Sequence, residues 1–136
     1  MGAGGGALAQ LIPVFKRFIG GPIGNGRQWF PWIHLEDLIA AVHFLLEHSD
    51  ISGPVNFCAP APVLNRDLAA ALGKALNRPA FMPAPAFLVR MVLGEFAEVL
   101  LGSQRAIPQK LQEHRFAFHY PDIEAALQAV VRAAAA

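Results

Sequence analysis

A helix-rich α/β fold with short strands is predicted by three features of this chain. Apolar residues recur at the helical period over most of its length, in stretches opened by Asn, Asp or Pro and often closed by Gly. Between them lie brief aromatic or β-branched runs, long enough only for small strands. Gly- and Pro-rich steps separate the two kinds of stretch. With 136 residues the chain is one domain's worth and can bury a real core.

The first helix is predicted over residues 7–19, with Leu8, Leu11, Ile12, Phe15 and Ile19 on one side and Lys16 and Arg17 opposite. Gly20-Gly21-Pro22 stops it, and Gly24-Asn25-Gly26 marks a turn. Residues 28–35 read as a short extended stretch bent at Pro31. From Glu36 a second helix carries Leu38, Ile39, Val42, Leu45 and Leu46, with Glu36 and Asp37 at the positive end of its dipole. Ser52-Gly53-Pro54 closes that unit, and residues 55–59 (VNFCA) are expected to form a buried strand. Asn65 is the expected N-cap of a helix running to about Leu76, with Asp67 in its first turn. Arg78-Pro79 breaks that helix, and residues 80–82 are a second expected strand. Pro85 suits the start of a long apolar helix over residues 87–101, closed by Gly102. Pro108 opens a short helix to about His114, and residues 116–119 read as extended. Pro121 opens the last helix, striped by Ile123, Ala126, Leu127, Val130 and Val131 and frayed at its final alanines.

Composition narrows the function. Hydrophobic residues make up 54% and charged residues 15%, the latter well below the usual quarter, so part of the surface is expected to be covered by something else. A net charge of +1 with scattered Arg and Lys argues against a nucleic-acid partner. Lys, Arg, Gly and Pro interrupt every apolar run, so no membrane span is expected. The single cysteine, Cys58, leaves no internal disulfide, fits a reducing compartment and reads as a buried, inert thiol. With no basic-then-apolar leader visible, the expected location is cytoplasmic. No metal site is expected: His43 and His48 are five apart on a helix, and His114 and His119 flank an extended segment without cysteine.

The opening Gly2-Ala3-Gly4-Gly5-Gly6-Ala7 has the G-x-G-x-x-A spacing of a loop that cradles a dinucleotide's pyrophosphate. Such a loop needs a strand before it and a carboxylate about 20 residues on. Only Met1 precedes Gly2, and the first acidic residue is Glu36, so the motif fails as a complete nucleotide site. A tyrosine acid/base needs a lysine four positions later to lower its pKa, whereas the one tyrosine, Tyr120, is followed at that distance by Glu124. No catalytic residue is therefore assigned. The richest segment is GRQWFPWIHLEDL, where Arg27, Gln28, Trp29 and Trp32 could line a ligand pocket. The competing reading makes Trp32 and Ile33 core and Glu36-Asp37 a helix start. Arg105, in Ser103-Gln104-Arg105, either reaches an anionic ligand or caps carbonyls locally. Phe116, Phe118 and Tyr120 alternate as a packed strand face does.

Taken in order, GGGAL, then GPIGNGRQWFPWIHLEDLIAAVHFLLE, then GPVNFCAPAPVLNRDLAAALGKALNRPAF resembles the C-terminal half of extended short-chain dehydrogenases, specifically the NAD(P)-dependent epimerase family proteins. The tail, LGEFAEVLLGSQRAIPQKLQEHRFAFHYPDIEAAL, resembles the domain of unknown function that closes them. The resemblance implies one substrate-binding lobe lacking most of the Rossmann sheet, with residues 1–60 continuing the dehydrogenase region and 61–136 forming the terminal domain. It places the glycine turn after a late strand, and the true nucleotide fingerprint and Tyr-x-x-x-Lys pair upstream. It also implies NAD(P) for the parent, with none bound by this chain alone, and a small-molecule substrate. The implied parent is a nucleoside-sugar-type epimerase or oxidoreductase, and this portion alone is expected to be inactive. Sugar-nucleotide epimerases of the superfamily often carry an arginine just before the stretch leading into His-x-x-Asp; here Phe30 holds that place, which weighs against a UDP-sugar. The alternative is an interaction module, dimerising through its exposed apolar surface.

Overall fold

Leu8, Ile12 and Phe15 recur on one side of α1 (Gly6–Lys16) and are the residues that this helix buries. This computed structural model describes residues 1–135 except Ala3, with the side chains of Val92, Leu93, Phe96, Val99 and Leu100 also outside the described set. Eight elements follow α1: β1 (Trp29–Phe30), α2 (Leu35–Glu47), β2 (Val63–Leu64), α3 (Asn65–Leu76), α4 (Ala86–Leu93), α5 (Phe96–Leu101), α6 (Gln109–Glu113) and α7 (Ile123–Ala135). The two strands pair antiparallel, Trp29 opposite Leu64 and Phe30 opposite Val63. Helices thus dominate, and most of a Rossmann sheet is missing among the described residues.

The main core lies where α1, α3 and α7 meet. Leu8, Ile12 and Phe15 join Leu68 and Leu72 from α3, Leu127 and Val130 from α7, and Trp32. Burying side chains of this size contributes roughly 1.5–3 kcal/mol each. Lys74 of α3 reaches Glu124 of α7 at 2.7 Å, and that hydrogen bond raises the ammonium's pKa. Asp122 caps α7 by accepting from Glu124 N and Ala125 N. None of the helices with described residues is long and apolar enough to cross a membrane.

Several expectations need correction. Residues 55–59 form no regular strand; Asn56 and Phe57 are exposed, Cys58 and Ala59 buried, and Ala59 N donates to Trp32 O at 2.6 Å. Residues 80–82 are likewise irregular, with Phe81 exposed; pairing falls instead at Ala84, which bridges Ile23 in parallel. The long helix expected over residues 87–101 is two helices, because Gly94 takes a left-handed turn (φ 56°) between them. The first helix stops at Lys16, short of Ile19, because Phe18 turns left-handed just beyond it. Asn65 does not cap α3. Leu64 occupies the cap position, and the Asn65 side chain is buried instead against Ile23. Cys58 is buried, which pushes its thiol pKa up.

Candidate ligand groove and docking edge

The glycine-rich opening is a turn into a helix. Gly2 pairs with Gly5, and α1 starts at Gly6 with no side-chain cap at Gly5; Ala3 lies outside the described residues. Just before that turn, Met1 O accepts from Leu35 N at 2.8 Å, and the Met1 amine donates to Ile33 O. Bonds from one residue to positions on either side of His34 are the pattern of a parallel ladder. A cavity of about 580 Å³ opens here, bounded by the glycine turn, residues 30–33, Leu35 and Phe57.

The adjoining helix α2 is inverted relative to an ordinary surface helix. Its fully buried residues are Asp37 and Ala41, whereas Leu35, Ile39, Val42 and Leu46 are 48%, 51%, 43% and 77% exposed. Asp37 faces inward because it binds the tail. Its carboxylate accepts from His119 N at 2.7 Å and Tyr120 N at 2.9 Å, and His119 Nδ1 lies at 3.4 Å. The segment expected to be extended at residues 116–119 forms no strand and is fastened by a side chain, with Phe116 packed edge-on against Phe44 and Phe118.

His34 caps α2: its Nδ1 accepts from Glu36 N at 3.3 Å, and its ring lies 4.0 Å from that of Tyr120. Burial holds its pKa below the ordinary 6.5; the Met1 amine adds to that lowering, and Glu36 and Asp37 oppose it. At pH above 6.5 both folded and unfolded imidazoles are neutral and the cap is intact. As pH falls below that value the unfolded chain takes up the proton first, so stability drops. Thermal melts should therefore move downward between pH 7 and pH 5, by about 2–8 °C for each kcal/mol lost. His34→Asn, which keeps a cap acceptor without titrating, should flatten that dependence.

The residues singled out in the sequence fall in four places. Trp29 and Arg105 come together: the guanidinium sits over the indole at 5.2 Å, Trp29 N donates to Ser103 Oγ, and Gln104 N donates to Trp29 O. Arg27 is exposed, its backbone N–H held by Asn25 Oδ1 at 2.9 Å. Gln28 is buried; its Nε2 donates to Ile23 O at 3.1 Å, so Gln28 and Asn65 hold both polar groups of Ile23. Trp32 is core, its indole N–H donating to Ala61 O at 2.9 Å, and it also borders the cavity at the glycine turn. Among the described residues no cluster of His, Cys, Asp or Glu could hold a metal.

A groove that the sequence reading missed lies between α1 and α4. It encloses about 430 Å³ and is walled by Leu11, Val14 and Phe15 on one side and by Leu88 and Val89 on the other. Its floor is the Ile23–Ala84 bridge, in which Gly24 N donates to Ala84 O and Ala84 N to Pro22 O, both at 2.9 Å. Gly21 permits that close approach: a Cβ there would lie far inside contact distance of the Met82 carbonyl. Gly21→Ala should cost about 1–3 kcal/mol by forcing the backbones apart. Urea unfolding checks this, with Gly4→Ala, where an added Cβ meets nothing within 4 Å, as the mild control.

Comparison with known proteins supplies the context. The domain of unknown function DUF1731 matches residues 84–130. Epimerase family protein SDR39U1 of Mus musculus is 43% identical over 96% of this chain, which spans 45% of that relative. Epimerase family protein ML0860 of Mycobacterium leprae is 47% identical over 90% of the chain, which spans 40% of it. The crystal structure of human epimerase family protein SDR39U1 with NADPH superposes at TM-score 0.91 with 37% identity, covering 97% of this chain and 45% of that one. The nucleoside-diphosphate sugar epimerase of Corynebacterium glutamicum superposes at TM-score 0.72 with 30% identity, covering 96% of this chain and 24% of that one. The chain thus spans less than half the length of the relatives it matches.

Proposed function

The chain corresponds in sequence and fold to the C-terminal part of an epimerase family protein, and on that premise we propose that it is the substrate-side lobe of an NAD(P)-dependent epimerase or oxidoreductase. The observation that carries this reading is the inverted helix α2. Its exposed stripe of Leu35, Ile39, Val42 and Leu46 lies beside the ladder formed by Met1, Ile33 and Leu35, an edge suited to receive more parallel sheet. The portion of the relatives that this chain does not match is the natural occupant of that face.

The chain's own residues support assigning the nucleotide to that other portion. Among the described residues, no carboxylate lines the cavity beside the glycine turn to take ribose hydroxyls. The first acidic residues in sequence, Glu36 and Asp37, form the first turn of α2, where Glu36 is exposed and Asp37 binds the tail. When bound, a nicotinamide would supply hydride chemistry. This lobe positions the substrate and excludes water, with Arg27, Trp29 and Arg105 as ligand contacts and with Gln28 and Trp32 shaping the wall behind them.

Calorimetric titration with NADPH tests the assignment. The chain alone should give no binding heat, and binding should emerge when the unmatched portion of the mouse relative is added. Micromolar NADPH binding and carbonyl reduction by the chain alone would overturn it.

A further inference from the structure

We propose that the groove between α1 and α4 binds an uncharged small molecule with an extended hydrocarbon body, and that it rejects a diphosphate. This inference rests on the chain's role as a substrate-side lobe and names the chemistry of the substrate body held in this groove, which Arg27, Trp29 and Arg105 do not line. Three observations carry it. Its volume of about 430 Å³ suits a molecule of drug-like size. Among the described residues no charged side chain lines it, and Gln10 alone contributes a polar side chain. Its floor also offers an anion few donors: Pro83 and Pro85 have no N–H, Ala84 N donates to Pro22 O, and Ile23 N donates to Asn65 Oδ1.

The side chains of Arg17, Arg78, Arg90 and Arg105 are not part of the groove's lining. Arg90 pairs with Glu98 at 2.9 Å, Arg78 lies over the Phe18 ring, and Arg105 lies over Trp29. A diphosphate placed in this groove would lose its water without gaining a cation or a set of N–H groups from the lining, a costly exchange. A hydrocarbon chain loses nothing comparable and gains by covering Leu11, Val14, Phe15 and Leu88. Gln10 then remains to meet one carbonyl or hydroxyl oxygen.

The probe is 2-decanone, titrated into the 136-residue chain while the methyl resonances of Val14, Ile19, Ile23 and Leu88 are followed by NMR. No nucleotide or second portion is present, so the outcome is independent of the calorimetric test above. The expected result is saturable shifts of the groove methyls, with none from UDP-glucose at equal concentration. Val14→Asp and Leu88→Glu, at positions 37% and 40% exposed, should weaken 2-decanone binding by about tenfold or more, with Leu72 and Leu127 methyl shifts confirming the fold. Gln10→Leu should weaken it severalfold. The proposal fails if 2-decanone gives no saturable shift, if folded Val14→Asp or Leu88→Glu binds it as well as the parent does, or if UDP-glucose shifts the groove methyls.

Discussion

Asp37→Ala should destabilise the chain by about 3 kcal/mol, because it removes a charged acceptor and leaves two backbone N–H groups without a partner. The side chain is fully buried, and its two oxygens receive His119 N and Tyr120 N from 82 and 83 residues away. Losing it frees the tail to leave α2, taking the Phe116 and Tyr120 rings from Phe44 and His34. Asp37→Asn should fall between parent and Ala, since the amide keeps one acceptor oxygen but presents an NH₂ to the other donor. Glu36→Ala, one residue away but exposed, should change stability by less than about 1 kcal/mol. Urea denaturation separates these cases. Similar midpoints for Asp37→Ala and Glu36→Ala would show that the tail is not held by this carboxylate.

The double substitution of Ile39 and Leu46 by Glu should do the opposite: leave the isolated chain folded and abolish docking. Both positions are more than half exposed, so the folded chain should change by roughly 0.5 kcal/mol per site. In the docked state each side chain would be covered, at about 1.5–3 kcal/mol apiece, and a glutamate there adds the cost of burying a charge. Together they should raise the dissociation constant for the unmatched portion of the relatives by more than about 100-fold. If self-association through the same stripe is the native state, the substitution should instead convert a dimer to a monomer.

Helices were the most legible part of the sequence because their signal is local. α2, α3 and α7 fall close to where apolar periodicity places them, since side chains at i and i+4 share a face whatever lies opposite. The strands expected at 55–59 and 80–82 were not legible, because a short apolar run becomes a strand only if another backbone pairs with it. The helix expected at 87–101 was read through Gly94, whose left-handed turn a period count does not reveal. Asn65 has the residue type of a cap but found a tertiary partner in Ile23. The candidate site shows the same division. The pairing of Trp29 with Arg105 joins two segments noted separately, whereas the tail-binding role of Asp37 and the groove between α1 and α4 depend on contacts distant in sequence. In hindsight, the apolar cluster FMPAPAFLV was a signal for the groove, because prolines held among exposed apolar residues build a wall rather than a core.

Sedimentation velocity of the chain mixed with the unmatched portion of the human SDR39U1 relative tests most directly whether this lobe is built to be covered. The account predicts a single one-to-one complex that gains NADPH binding and that the double α2 substitution prevents. Separate boundaries at every ratio, with the chain monodisperse alone and its α2 stripe still solvent-labelled in the mixture, would contradict it.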